Sequence, residues 1–318
     1  MGAMADLSIY LFWSGLVTAL MAVVLYAGYV ASASVSLRRF SAQTEAGTVD
    51  FSSASGVPNP GIGRLATSFT IFTALALGGA VASRWAAVEH APISNMYEFT
   101  VAFAFGVATV YMISETLSGQ RRLGVVGLPI VAGMLLVATQ FPSDIVPLIP
   151  ALQNGPLLTI HVSMMMISYA VLTVAFCGAA VYLAQGGDGK RRFASLPSAD
   201  SAGDLAHRAV MVGFPMLGLG IALGAWWANS AWGRYWGWDP KETSALVTWL
   251  SIACYFHARA GSGSLAGAPG FRKIIPFRIR RGWRPDPMWW LVGMWGLVMF
   301  TYFGVNLWIS GLHSYAGV

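Results

Sequence analysis

Eight apolar stretches divide this chain and leave it few ways to fold. They run approximately over residues 7–30, 65–88, 97–117, 122–139, 157–184, 208–229, 243–260 and 287–309, each near the ~17–25 residues a helix needs to cross a bilayer. Lipid offers the backbone no water, so such spans must satisfy their own N–H and C=O groups as α-helices. The expected class is therefore an all-α integral membrane protein with about eight transmembrane helices. Composition agrees: 56% of the 318 residues are apolar and 10% are charged, outside the range of soluble globular chains. The third stretch, with Glu98 at its mouth and Glu115 near its other end, is weak. The seventh, which follows a charged segment directly, is weak too. The first residues lack a basic n-region and the first apolar run is too long for a signal peptide, so the start reads as mature protein.

Lysine and arginine placement orients the spans, because cytoplasmic loops carry the excess. Alternate loops hold Arg38, Arg39 and Arg64; Arg121 and Arg122; Lys190, Arg191, Arg192 and Arg208; and seven more between Arg259 and Arg284. Of the 19 basic residues, this leaves only Arg84, Arg234 and Lys241 for the other side. Both termini are then expected outside, in a bacterial cytoplasmic membrane. The net charge of +6 is mostly topogenic, with no nucleic-acid footprint in it. The basic 259–284 loop suits anionic lipid, with an anionic cytoplasmic ligand as the alternative. Residues 1–64 read as the first helix and a disordered cytoplasmic linker, and 65–318 as the main membrane domain; 185–204 reads as a second linker. Cys177 and Cys254 lie in apolar runs without metal or redox spacing and read as buried small hydrophobes. No Walker A, dinucleotide fingerprint or H-E-x-x-H is present.

Function must then lie in the external loops and the polar residues of the spans. The segment "WGRYWGWDPKE", residues 232–242, falls in an external loop. An aromatic belt scatters its rings. Here Trp226, Trp227, Trp232, Trp236, Trp238 and Trp249 place six of the 13 tryptophans within 24 residues, interleaved with Asp239 and Glu242. Asp239-Pro240 also has the form of a helix start, with Asp239 as N-cap and Glu242 at the third position. His161 opens the fifth span and His313 follows the eighth, so both are expected at the level of this segment. Two imidazoles at one height on separate helices suit a single metal, and a tryptophan wall suits the apolar disc of haem better than a bare ion. Singly, each histidine reads more readily as an interfacial hydrogen-bonding residue than as a ligand. Arg234 and Lys241 are candidates for the haem propionates, although Lys241 could pair with Glu242 or Asp239. His257 lies 18 residues beyond Asp239, about 27 Å along a helix, deep enough for a second ligand, a path lining or a boundary residue. His90 and His207 receive no role.

The stretch "AWGRYWGWDPKETSALVTWL" resembles the tryptophan-rich WWD signature of the haem-handling proteins of cytochrome c biogenesis, of the CcsA/ResC type (System II). "PISNMYEF", "HVSMMMISYA", "GFPMLGLGIALGAWWA" and "GVNLWISGLHSY" stand in the expected order and sides, so the resemblance covers about residues 65–318, with the signature at 226–243. It implies that haem b is cradled externally by Trp227, Trp232, Arg234, Tyr235, Trp236, Trp238, Asp239, Lys241 and Glu242. It further implies His161 and His313 as axial ligands and His257 as the membrane histidine that receives haem on its way across. Ser244 departs from the pattern, which has an aromatic soon after "DPKET". The implied partners are a ResB-type membrane protein, apocytochrome c, thiol-reducing thioredoxin-like proteins and membrane lipid. The implied activity is that of a subunit of a cytochrome c synthase, or haem lyase, which presents haem for thioether attachment to C-x-x-C-H motifs. A haem exporter without synthase activity and a haem or quinone electron-transfer subunit are the alternatives.

Overall fold

A computed structural model describes residues 2–45, 57–145, 148, 150–153, 155–261, 286–309 and 311–313. All its regular structure among these residues is helical: α1 Ala3–Glu45, α2 Pro60–Val88, α3 Met96–Ser118, α4 Gly124–Ala138, α5 Gly155–Gln185, α6 Ala199–Trp232, α7 Pro240–Gly261, α8 Met288–Met299 and α9 Val305–Trp308. A π-helical turn, Phe300–Gly304, joins the last two into one run. Several helices outlast the apolar stretches that announce them, because hydropathy marks only the lipid-matched part while capping decides the ends. Asn59 caps α2 through Gly61 N–H, with Pro60 at its first position. Asn95 caps α3 through Glu98 N–H, and Ser198 caps α6. Gly119 and Gly233 close α3 and α6 with φ of 68° and 73°, a region that only glycine enters freely.

Seven of these helical runs are long and apolar enough to cross a membrane, so the chain is a multi-pass membrane protein. The eighth expected span, α7, has the length, 22 residues, but its charged ends, hydroxyl residues and His257 dilute its apolarity. Its packing shows that it nonetheless runs the depth of the bundle. Midway along it Trp249 stacks on Phe214 of α6, further on Tyr255 meets His207, and at its start Lys241 meets Asn306 beyond α8. Consecutive helices alternate in direction. One face, here the tryptophan face, gathers the loops around residues 89–95, 139–154 and 233–239 with the segment after α9. The opposite face carries Arg64, Arg121, Arg122, Lys190–Arg192, Arg208 and Arg259.

The tightest pairings are α1 with α2 and α5 with α6, and α3 links the two pairs. The α5–α6 seam is set by small residues: a Cβ on Gly213, Gly220 or Gly224 would come within 2.6–2.7 Å of Leu172, Met165 or His161. Small residues let membrane helices approach closely where hydrophobicity cannot drive association. The connection 186–198, expected as a linker, is ordered: Gln185, buried at the end of α5, accepts from Phe193 N–H and donates to the carbonyls of Phe193 and Pro197. Cys177 is buried as expected, but Cys254 is exposed. It shares the outward face of α7 with Val247, Leu250 and His257, because that helix lies at the edge of the bundle.

Candidate functional site

The Asp239-Pro240 start does what its sequence suggests. Asp239 Oδ2 accepts from Lys241 N–H at 3.0 Å, and Glu242 Oε2 reaches back to the N–H groups of Asp239 and Gly237 at 3.1 and 2.9 Å. This is a capping box, which satisfies amides that the first helical turn leaves open. The same carboxylate then acts at long range. Asp239 Oδ1 accepts from Leu312 N–H at 2.6 Å and Oδ2 from His313 Nδ1 at 2.7 Å, 74 residues downstream. One aspartate therefore both starts α7 and pins the segment after α9.

Burial lowers the His313 pKa from its ordinary value of 6.5, against the raising effect of Asp239. Burial likewise pushes the Asp239 carboxyl up, but the His313 hydrogen bond and two backbone N–H groups outweigh it and hold it below the usual range. The two directions agree on one pair of states: carboxylate and neutral imidazole. Because a carboxylate only accepts, Nδ1 of His313 carries the proton and the lone pair lies on Nε2. His161, in α5, reaches the same tautomer differently, with Nδ1 donating to the Gly220 carbonyl at 2.9 Å. Gly224, one turn further along α6, makes that contact possible, since a Cβ there would stand 2.6 Å from His161 Cε1.

Both histidines line one pocket, which opens to solvent and encloses about 1040 Å³ when its mouth is counted. Trp227, fully buried, neighbours both, its ring parallel to His161 at 6.4 Å and tilted towards His313 at 5.8 Å. The two imidazoles can be no further apart than the sum of those distances. Trp232 meets Trp227 and His313 edge-on at 4.7 and 4.8 Å. Trp227, Trp236, Lys241 and Glu242 line the pocket together with Tyr169, Thr301 and Tyr302, whereas Trp232, expected in the wall, packs on Trp227 and His313 outside the lining. Trp227 Nε1 is buried and makes no hydrogen bond among the described residues.

Other expected site residues fall elsewhere. Asp239 lies behind His313 rather than in the wall, and Arg234, Tyr235 and Trp238 are exposed outside the lining. Trp238 has φ of 56°, unusual for so bulky a residue, and packs edge-on against Trp236. His257 is exposed, 16 residues beyond Lys241 on α7, about 24 Å from this pocket's level. Ser244 does not line the cavity; its hydroxyl donates to Pro240 O of its own helix. Lys241 pairs with neither acid: its Nζ donates to Asn306 Oδ1 at 2.9 Å. Gly220, Gly224 and Asn306 escaped the sequence reading. The small-residue spacing in "GIALG" could have revealed the two glycines, whereas nothing local marks Asn306.

No group of three or more His, Cys, Asp or Glu among the described residues could hold a metal ion. Two imidazoles are too few for a bare ion, which takes three or four protein ligands in zinc sites. They suffice for an iron that brings four ligands in a flat apolar macrocycle. The pocket's mixture of thioether and aromatic walls, one half-buried cation and an unbonded indole N–H suits such a group.

Residues 93–313 match the family of cytochrome C assembly proteins. The chain is 34% identical to the cytochrome c biogenesis protein CcsA of Synechococcus elongatus, over 84% of this chain and 90% of that protein. It is 33% identical to the CcsA of Microcystis aeruginosa and 31% identical to that of Porphyra purpurea, each over 80% of this chain and 88% of the relative. The tryptophan segment, the paired histidines and the span order thus lie within one extended likeness, and the chain belongs to the cytochrome c assembly family as a CcsA-type protein of cytochrome c biogenesis.

Proposed function

We propose that this chain binds haem b between His161 and His313 on the external face of a bacterial cytoplasmic membrane, as a subunit of a cytochrome c synthase. It presents the haem for thioether attachment to apocytochrome C-x-x-C-H motifs. The observation that carries the reading is the convergence of two histidines from α5 and the post-α9 segment on one pocket, each with Nδ1 committed and its lone pair on Nε2. In the attachment, each cysteine S–H adds across one haem vinyl group, with a new C–S bond at one carbon and the proton at the other. The chain contributes position more than acid or base. Glu242 is tied to backbone N–H groups and Asp239 to His313, so neither is placed as a base for thiols. Thiol reductant comes from thioredoxin-like proteins.

His257 supports a separate contact. Exposed on the outer face of α7, it is open to a ResB-type partner that docks there and shares a haem crossing the membrane. A His257→Ala variant that keeps full external haem and normal cytochrome maturation would remove that role.

The decisive experiment is the visible spectrum of the purified protein, with and without the partner, for wild type, His161→Ala and His313→Ala. The expected result is a low-spin bis-imidazole spectrum that either substitution weakens and added imidazole restores. A spectrum unchanged by both substitutions would place the haem elsewhere and return the tryptophans to an aromatic belt. Covalent haem on a co-expressed apocytochrome supports the synthase, whereas exported free haem alone supports the exporter.

A further inference from the structure

We propose that Asn306 is a positioning residue that holds the Lys241 ammonium in the pocket wall to receive a carboxylate of the ligand, so that the site selects porphyrins with a free acid group. This rests on the haem-binding reading and adds a specificity determinant to it.

Lys241 sits in the first turn of α7 and lines the pocket. Its Nζ donates to the Asn306 carboxamide oxygen at 2.9 Å and lies 5.9 Å from the Phe99 ring centroid. The ion pairs among the described residues are Arg84–Glu98 and Arg121–Glu115, and Lys241 is in neither of them. The neighbouring acids face away, Asp239 towards His313, Leu312 N–H and Lys241's own N–H, and Glu242 towards two backbone amides. An ammonium has three donors, and asparagine takes one. Lys241 is half-buried and feels the Asp239 charge only through space, and a partly desolvated cation whose hydrogen-bond partner is neutral gains from an anion that completes it.

Asn306 owes its place to the π turn. Val305 N–H bonds Phe300 O, five residues back, so one residue is inserted relative to an α-helix. Each helical residue turns the chain by about 100°, so without the insertion Asn306 would face elsewhere. Its other arm is fixed too, with Nδ2 donating to Tyr302 O at 2.6 Å. An amide orients the ammonium without neutralising it, which an aspartate in its place would do.

The test compares binding of iron protoporphyrin IX with its dimethyl ester, whose acid groups are capped, to the full chain in nanodiscs. Wild type should prefer the free acid by roughly 10- to 100-fold, the range of a hydrogen bond to a charged group. Asn306→Asp and Lys241→Met should bring the ratio near one while the low-spin spectrum persists, and Asn306→Gln should restore part of it. Should Asn306→Asp fail to fold, Asn306→Leu and Lys241→Met carry the same comparison. An unchanged ratio in folded, low-spin variants overturns the inference and leaves haem binding intact. Absence of a low-spin spectrum with either porphyrin in wild type overturns the haem reading and this inference with it.

Discussion

Arg84, buried, and Lys241, half-buried in the pocket wall, are both cations at the tryptophan face, and their surroundings differ in kind. Arg84 is complete: Nε donates to Glu98 at 2.9 Å and one terminal nitrogen donates to the carbonyls of Ser143 and Asp144 at 2.7 and 3.0 Å. Glu98 is finished by Ser94, through N–H and hydroxyl at 2.7 and 2.5 Å. The result ties α2, α3 and the α4–α5 connection together, with the arginine charge met by a carboxylate. Lys241 has one neutral hydrogen-bond partner and faces a cavity. The Glu115 cluster near the opposite face repeats the first pattern, accepting from Tyr26, Thr67, Tyr111 and Arg121. The two closed clusters hold helices together, whereas Lys241 is left open towards the pocket.

The largest effect should come from opening the closed network. Glu98→Ala strands the Arg84 charge and should cost about 3–5 kcal/mol, whereas Lys241→Met leaves no charge behind and should cost under about 1 kcal/mol without ligand. Unfolding in mixed micelles compares the two, and equal losses would break the contrast. Next, Asp239→Ala removes the group that orients His313, so haem affinity should fall by about 10- to 100-fold, the usual consequence of losing a histidine's outer partner. Titration of haem into the purified variant measures this, and an unchanged affinity would reduce Asp239 to a helix cap.

Gly224→Ala places a methyl 2.6 Å from His161 Cε1. It should destabilise by about 1–3 kcal/mol and weaken the haem spectrum as His161 moves. Gly293→Ala, with nothing within 4 Å of the added carbon, should be neutral or stabilising by up to ~1 kcal/mol. Similar behaviour of the two would dismiss the glycine notch as the support of His161.

The smallest effect is on pH. The folded pKa of His313 lies below 6.5, so the unfolded chain takes up the proton first. Stability is full above that pH, falls as pH drops below 6.5 and levels off under the folded value. The lowered Asp239 pKa acts with the same sign further down, beginning below its ordinary 3.8. His313→Gln should shrink the first acid limb, to which His207 also contributes, and should weaken the second as well, because the His313 hydrogen bond helps to hold the Asp239 carboxyl down. A wild-type unfolding midpoint that is flat from pH 7 to 5 would contradict the neutral-imidazole assignment.

Sequence alone determined the properties that belong to single segments. Apolar length announced the spans, basic residues sorted the loops to two faces, and the D-P-K-E stretch spelled out its own helix cap. His161 and His313 could be placed at one level because each lies at the end of a span. Tertiary structure decided what depends on rotation about a helix axis and on register between helices. Hydropathy did not say that Asp239 would meet His313, that a notch at Gly220 and Gly224 would seat His161, or that a π turn would aim Asn306 at Lys241. Nor did it say that Arg234, Tyr235 and Trp238 would stand outside the pocket wall, or that Cys254 and His257 would face outwards. Residues one position apart differ by about 100° around a helix, so an element readable to within a turn still leaves each side chain's partner open. The fold was legible because it follows from burial along the chain, and the site was only half legible because it follows from contacts between chain segments.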